Sequence, residues 1–209
     1  MAQSAPATRS DWVEERLRDA ILRGELEPGQ RLHSNELAER WEVSPTPLRE
    51  AFQRLASDGL VEMLPQRGVR VTAMSVGDAA DIYELRLLLE PLCLRRSLEA
   101  SDDEHRRAIE AAFEAFRSAA TLDDAIETHA RFHRALLERC PSACLLRFTT
   151  QLADASRLYQ VASAGGRPVR RHPKAEHRAL RDAAVRGDID GCVALHEDHL
   201  RRTLEIVAG

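Results

Sequence analysis

Seven of the eight histidines of this 209-residue chain lie in its second half. Unprotonated imidazole is a common transition-metal ligand near neutral pH. His129 and His133, in Thr128-His129-Ala130-Arg131-Phe132-His133, stand four residues apart. On a helix that spacing puts both rings on one face, where they can share one ion. His177 follows in Glu176-His177-Arg178-Ala179-Leu180, and His196 and His199 lie near the end. Three helices meeting in a bundle core would gather such a set around one metal. The plainer reading, surface or satisfied core histidines, is open on spacing alone. No paired acid and base, no H-E-x-x-H string and no phosphate loop accompany the set. A metal-dependent enzyme is therefore the weaker alternative to a regulatory site.

The second chemical set is cationic. The net charge is −4, and residues 1–75 carry ten Arg against twelve Asp plus Glu, a balance of −2. Bulk charge does not advertise nucleic acid, so that reading rests on placement. A local face with Arg31, Arg49, Arg54, Arg67 and Arg70 is expected to be positive, with the acids turned away.

The elements that would carry those arginines follow from residues 31–72. A short helix is expected from Ser34, with Ser34 as its cap, Glu36 in the first turn and Leu37, Ala38 and Trp41 as its apolar stripe. Glu42-Val43 is the turn. Ser44 is a second N-cap, with Pro45 at the first helical position. Leu48, Ala51, Phe52 and Leu55 recur at helical spacing and should be buried. Thr46, Arg49, Gln53 and Arg54 then face outward, and Gly59 supplies the left-handed cap. A strand over 60–64, a turn at Pro65-Gln66-Arg67-Gly68 and a strand over 69–72 make a hairpin. Two helices, a tight turn and a hairpin outline a winged helix-turn-helix.

Before it, Ser10-Asp11 should cap a helix running to Arg23, with Val13, Leu17, Ala20 and Ile21 inward. Residues 1–9 read as a disordered lead-in, 10–72 as the winged helix-turn-helix domain and 73–77 as a linker. Residues 78–209 read as six amphipathic helices with short connections, an antiparallel bundle. The first, over 78–100, carries Ile82, Leu85, Leu88, Leu89 and Leu92, and Pro91 should kink or divide it. The fold class is thus mainly α. Apolar residues make up 44% and aromatics 4%, so the core is mostly aliphatic. No apolar run reaches a membrane span of about 18 residues, and the first ten residues lack a secretory h-region, so a cytoplasmic protein with no membrane partner is expected. Cys93, Cys140, Cys144 and Cys192 show no disulfide framework and read as reduced thiols.

One long string resembles the GntR family of bacterial transcription regulators: Ala20-Ile21-Leu22-Arg23-Gly24-Glu25-Leu26-Glu27-Pro28-Gly29, Leu32, Glu36-Leu37-Ala38, Val43-Ser44, Arg49-Glu50-Ala51, Arg54-Leu55, Gly59-Leu60-Val61 and Arg67-Gly68-Val69. The second half resembles the ligand-binding domain of the family's FadR-type branch, its six helices placing it nearer the VanR-like members. The resemblance implies double-stranded DNA with a palindromic operator as partner, a homodimer, and a small organic acid as effector. The helix after the turn would enter the major groove and the wing the minor groove, through Arg31, Asn35, Ser44, Thr46, Arg49, Gln53, Arg67 and Gly68. Pro45 stands where the family usually has a guanine-reading Arg, and Asn35 where a longer side chain is common. The family's metal set is one Asp and three His, the Asp opening a D-x-x-F-H string. The resemblance assigns the three to His133, His177 and His199 and puts His129 at the Asp position. A four-His site carries one negative charge fewer and favours Zn²⁺ or Ni²⁺ over harder ions. His196 is a lesser candidate. Arg86, in Glu84-Leu85-Arg86-x-x-x-Glu90, matches a residue that reaches toward the effector carboxylate; its alternative is an i,i+4 pair with Glu90. Arg157 with Tyr159 is a weaker pocket candidate. A regulator in which the ion itself is the signal is a further alternative.

Overall fold

The computed structural model describes residues 8–73, 76–163 and 174–208. Most of the expected lead-in, Ser75 in the linker, the loop at Gly165-Gly166-Arg167-Pro168 and the approach to the fifth bundle helix from Arg171 lie outside the described residues. The chain divides into two compact units, Met1–Ser75 with Arg157–Arg167, and Val76–Ser156 with Pro168–Gly209.

In the first unit, α1 spans Arg9–Leu22. Its cap is Thr8 and not the expected Ser10-Asp11. The Thr8 hydroxyl accepts from the Asp11 N–H, and the Asp11 carboxylate accepts from the Thr8 N–H. This reciprocal box satisfies two donors that an Asp at N-cap would not. Ser10 instead turns inward and donates to Glu50. Helix α2 spans Ser34–Arg40, with His33 rather than Ser34 at the N-cap position and no side-chain cap bond. Helix α3 spans Pro45–Ser57; Ser44 occupies the N-cap position but its hydroxyl makes no capping bond.

Three strands follow the expected hairpin with one addition: β1 is Arg31–Leu32, β2 Val61–Leu64 and β3 Gly68–Val71, in the order β1-β3-β2. Strand β1 pairs Arg31 with Arg70 and Leu32 with Val69. Two residues carry no period-2 signal, so the sequence did not announce it. The wing turn takes positive φ at both Gln66 (56°) and Gly68 (86°), and a β-branched side chain at either would be strained. Val13, Leu17, Ile21, Leu48, Phe52, Leu55, Leu60, Val61 and Val71 fill the core under α3, and Leu158 belongs to the same cluster.

The expected six helices follow: α4 Val76–Glu99, α5 Asp103–Ser118, α6 Leu122–Leu137, α7 Ala143–Ser163, α8 Lys174–Arg186 and α9 Ile189–Ala208, all in the second unit except the end of α7 from Arg157. Asp102 and Thr121 cap α5 and α6 through their side chains. Pro91 does not divide α4, which runs unbroken from Val76 to Glu99; α4 packs along α9, and that contact offsets one lost backbone bond. The expected inner face of α4 is corrected too. Leu85, Leu88 and Leu92 are 46%, 64% and 42% exposed, while Ala79, Tyr83, Glu90, Cys93, Leu94, Ser97 and Leu98 are buried. The helix carries apolar residues on more than one face, so periodicity alone picked the richer stripe. Phe113, Phe116, Phe132, Leu136, Leu180 and Cys192 centre the bundle core. His105 is a satisfied core histidine, held by Ser101 and the Ala135 carbonyl.

Candidate nucleic-acid interface and metal centre

The first site is the outer face of α3 and the wing. Arg31, Asn35, Ser44, Thr46, Arg49, Gln53, Arg67 and Gly68 are all exposed. The side chains of Arg31, Arg49 and Arg67 make no hydrogen bond or ion pair among the described residues. The other two arginines expected on that face are committed elsewhere. Nη1 of Arg54 donates to Asp11 at 2.6 Å and to Glu14 at 3.2 Å, across to α1. That bond and the capping bond from Thr8 hold the Asp11 carboxyl at about 2, below its ordinary 3.8. Arg70 forks onto Glu62, its cross-strand partner, at 2.9 and 2.7 Å. The positive face is therefore three guanidiniums and not five: Arg49 on the reading helix, Arg31 on β1 and Arg67 at the wing turn.

The second site lies in the bundle. His129 and His133 share one face of α6, His177 comes from α8 and His199 from α9. The Nε2 atoms of His129, His133 and His177 are 2.8, 3.1 and 3.1 Å apart pairwise. One ligand atom from each of the four rings lies within 4.8 Å of the others. Phe116 packs on His129 and His177, and Phe132 on His133 and His177, at ring distances of 5.1–5.9 Å. The walls that these phenyl rings make are apolar.

The four residues fit a metal on chemical grounds. A hydrogen bond between two imidazoles needs one N–H and one lone pair. Three mutually close Nε2 atoms cannot all be satisfied that way. Three lone pairs converging on one cation can. Neighbouring sites of an ion with bonds of about 2.0–2.1 Å lie about 3.0 Å apart in an octahedron and about 3.4 Å in a tetrahedron. The three Nε2 separations are close to the first. Burial, then the neighbouring imidazoles, push His133 well below its ordinary pKa, so its lone pair is available at neutral pH. Nδ1 of His199 lies 3.3 Å from Oε2 of Glu176; with its proton there, Nε2 presents the lone pair. That carboxylate behind a ligand histidine orients the ring as outer partners of metal sites do. Glu176 carried no sequence signal beyond its adjacency to His177.

The amino-acid sequence matches the profile described as bacterial regulatory proteins, gntR family, over residues 9–71, and that of the FCD domain over residues 81–202. The chain belongs to the GntR family and carries an FCD domain. It is 32% identical over 203 residues to the HTH-type transcriptional regulator BphR of Paraburkholderia xenovorans, spanning 92% of this chain and 82% of that one. It is 28% identical over 151 residues to the HTH-type transcriptional repressor GlaR of Escherichia coli, 69% of each chain. The solved structure of E. coli McbR/YncC superposes with a TM-score of 0.86 at 22% identity, covering 97% of this chain and 98% of that one, which shows the shared fold.

In this GntR-family regulator, Arg86 does not stand idle. Its Nε and Nη2 donate to Glu90 at 2.5 and 3.3 Å, and Nη1 donates to Ser156 at 2.8 Å. The i,i+4 pair is thus formed, and an effector carboxylate would have to share that guanidinium. Burial would raise the Glu90 carboxyl, but Arg86 and His196 override it and hold it at about 2. His196, the lesser ligand candidate, is turned to Glu90, Nε2 to Oε2 at 2.8 Å, and is not one of the four converging rings. A surface cleft of about 390 Å³ lies between α1 and α2, lined by Trp12, Trp41, Arg16 and Arg40. No described helix is long and apolar enough to cross a membrane.

Proposed function

We propose that this GntR-family regulator binds a palindromic operator as a homodimer and that a small organic acid, held at a divalent ion in the FCD domain, sets its operator affinity. The ligands of that ion, Zn²⁺ or Ni²⁺, are His129, His133, His177 and His199. The observation that carries the reading is the convergence of their ring nitrogens from α6, α8 and α9, one ligand atom of each within 4.8 Å of the others. When bound, the ion supplies positive charge and open positions for an anion. Four neutral imidazoles leave that charge undiminished, whereas the Asp of the family pattern would cancel part of it.

On the DNA side, Arg49 and Gln53 point from α3 toward base edges in the major groove, and Thr46 and Asn35 flank them. Ser44, Arg31, Arg67 and Gly68 meet backbone phosphates and the minor groove. Pro45 and Pro47 withhold two N–H groups that would otherwise grip a phosphate, so side chains carry more of the positioning. Leu85, Leu88 and Leu92, at i, i+3 and i+7 on α4, form an exposed apolar stripe that suits burial against a second copy. With half-sites a helical turn or more apart, a dimer doubles the few base contacts one winged domain offers. A repressor that releases DNA when the acid binds is the form we favour, supported by the naming of the GlaR relative.

The specific observation that Arg86 is already neutralised by Glu90 keeps one second reading in play, the ion itself as the signal. Both are separated by gel-shift titration of zinc-loaded protein with and without a panel of small mono- and dicarboxylic acids. Operator release by an acid at fixed zinc supports the effector reading. Affinity that responds to zinc removal and to no acid replaces it with the metal-signal reading.

A further inference from the structure

Two buried ring nitrogens beside the metal set have no hydrogen-bond partner among the described residues: Nδ1 of His133 and Nδ1 of His196. Their chemical characters are fixed by what the opposite nitrogens do. The ionised carboxylate of Glu90 can only accept. The 2.8 Å contact from His196 Nε2 therefore places a proton on that nitrogen, and in the neutral ring Nδ1 of His196 presents a lone pair. If Nε2 of His133 faces an ion, its proton must sit on Nδ1. One orphan is a donor and the other an acceptor.

The two rings are 5.9 Å apart, centroid to centroid, and tilted by 49°. They do not bond directly. A water with two hydrogen bonds of about 2.8 Å, bent at its oxygen, joins ring nitrogens about 4.5 Å apart. His196 is 2% exposed and cannot swing out to solvent. It is held in place from behind: Glu90 accepts from Arg86, Arg86 donates to Ser156, and Ser156 donates to Tyr83 at 2.9 Å. The chain of partners thus runs from α4 through α9 to the ligand on α6.

We propose that His196 is a positioning residue of the metal centre, accepting the Nδ1 proton of His133 through one bridging water and so fixing which nitrogen of His133 meets the ion. Glu90 and Arg86 fix His196 in turn. The inference rests on the metal reading above and gives His133 the kind of outer partner that Glu176 already gives His199. A buried ligand N–H left without an acceptor costs affinity, because the ring must either lose that bond or rotate away from the ion.

The test uses the full chain, stripped with chelator and titrated with Zn²⁺ against a chromophoric competitor. Wild type, His133→Ala, His196→Phe and His196→Gln are compared. Phe fills the space of the ring without an acceptor; the Gln amide oxygen can still accept. His196→Phe is expected to weaken zinc about 10–100-fold, and His196→Gln to stay within about threefold of wild type. Equal zinc affinity in His196→Phe and wild type overturns the inference, and so does an equal loss in Phe and Gln, which marks a packing role. The wild-type protein gives an independent reading by ¹⁵N NMR of the histidine rings: the zinc-loaded form should show His196 protonated on Nε2 and His133 on Nδ1. A His196 ring protonated on Nδ1 alone overturns the inference even if the Phe variant fails to fold. Wild type that binds no zinc removes the metal reading with it. Zinc bound by wild type, lost in His133→Ala and unchanged in His196→Phe removes this inference alone.

Discussion

At the scale of single residues, the arginines divide by what they already hold. Arg49 makes no ion pair among the described residues and sits exposed on α3. Arg49→Ala should cost operator binding about 1–3 kcal/mol and relax specificity at the base it reads. Arg67→Ala should weaken binding evenly across sequences and flatten the salt slope by about one ion. Arg54, tied to Asp11 and Glu14, should do neither; its loss loosens α1 from α3. Gel shifts of the three variants at several salt concentrations check this, and a loss of specificity in Arg54→Ala would mean that α3 presents a different face. Glu90 is the other residue with a definite signature. Its carboxyl stands at about 2 against an ordinary 4.5. A depressed folded value contributes stability above about 4.5, and that contribution is lost as pH falls from there toward about 2. Glu90→Gln leaves the buried Arg86 charge unpaired and should cost about 3–5 kcal/mol. Urea unfolding of metal-free protein at several pH values should show stability falling with acid through that window in wild type, and a shallower fall in the variant.

At the scale of elements, α4 does two jobs. One face packs along α9 and carries Tyr83, Glu90 and Leu94 inward, while Leu85, Leu88 and Leu92 line the other. Leu88→Arg should therefore leave the bundle folded and shift a dimer toward monomer, read by light scattering at micromolar concentration with thermal unfolding as the control for folding. A dimer unchanged by that substitution moves the interface elsewhere. Helix α6 sets the metal centre because four residues advance about 400°, little more than one turn, and bring His129 and His133 over one another. The wing is held by β3 between β1 and β2, which places Arg31 beside the hairpin and not on a free loop.

At the scale of the whole molecule, the proposed metal site would link metal to fold. An ion bound only by the folded chain should raise its stability by about 2.7 kcal/mol at a hundredfold excess over the dissociation constant. His133→Ala should abolish that increment. Thermal unfolding with and without Zn²⁺, beside elemental analysis of both proteins, reads the effect; equal metal content in wild type and variant would rule the centre out. In the proposed function the link to DNA is a coupling between the acid site and the operator site. By reciprocity, an acid that weakens operator binding must itself bind less tightly to the DNA-bound protein.

The amino-acid sequence alone determined the local structure. Apolar spacing at Leu48, Ala51, Phe52 and Leu55, proline at the start of α3 and glycine at its end dictate a helix whose outer face bears Arg49 and Gln53. These are nearest-neighbour effects and need no tertiary information. The same holds for the six bundle helices and for the pairing of His129 with His133. The family resemblance, not spacing, selected His177 and His199, and the structure brings both rings to that pair. Only the tertiary structure decided the rest. Arg54 and Arg70 are withdrawn from the positive face by acids on α1 and β2, partners up to 43 residues away. Thr8 replaces Ser10 as a cap because Ser10 finds Glu50 on α3. The inner face of α4 is set by what α9 presents, since an apolar stripe exists on either side of it. Nε2 of His196 is taken by Glu90, 106 residues earlier, and not by the four converging rings. In each case side chains of suitable chemistry compete for one partner, and distance in the fold, which spacing along the chain does not encode, settles the competition.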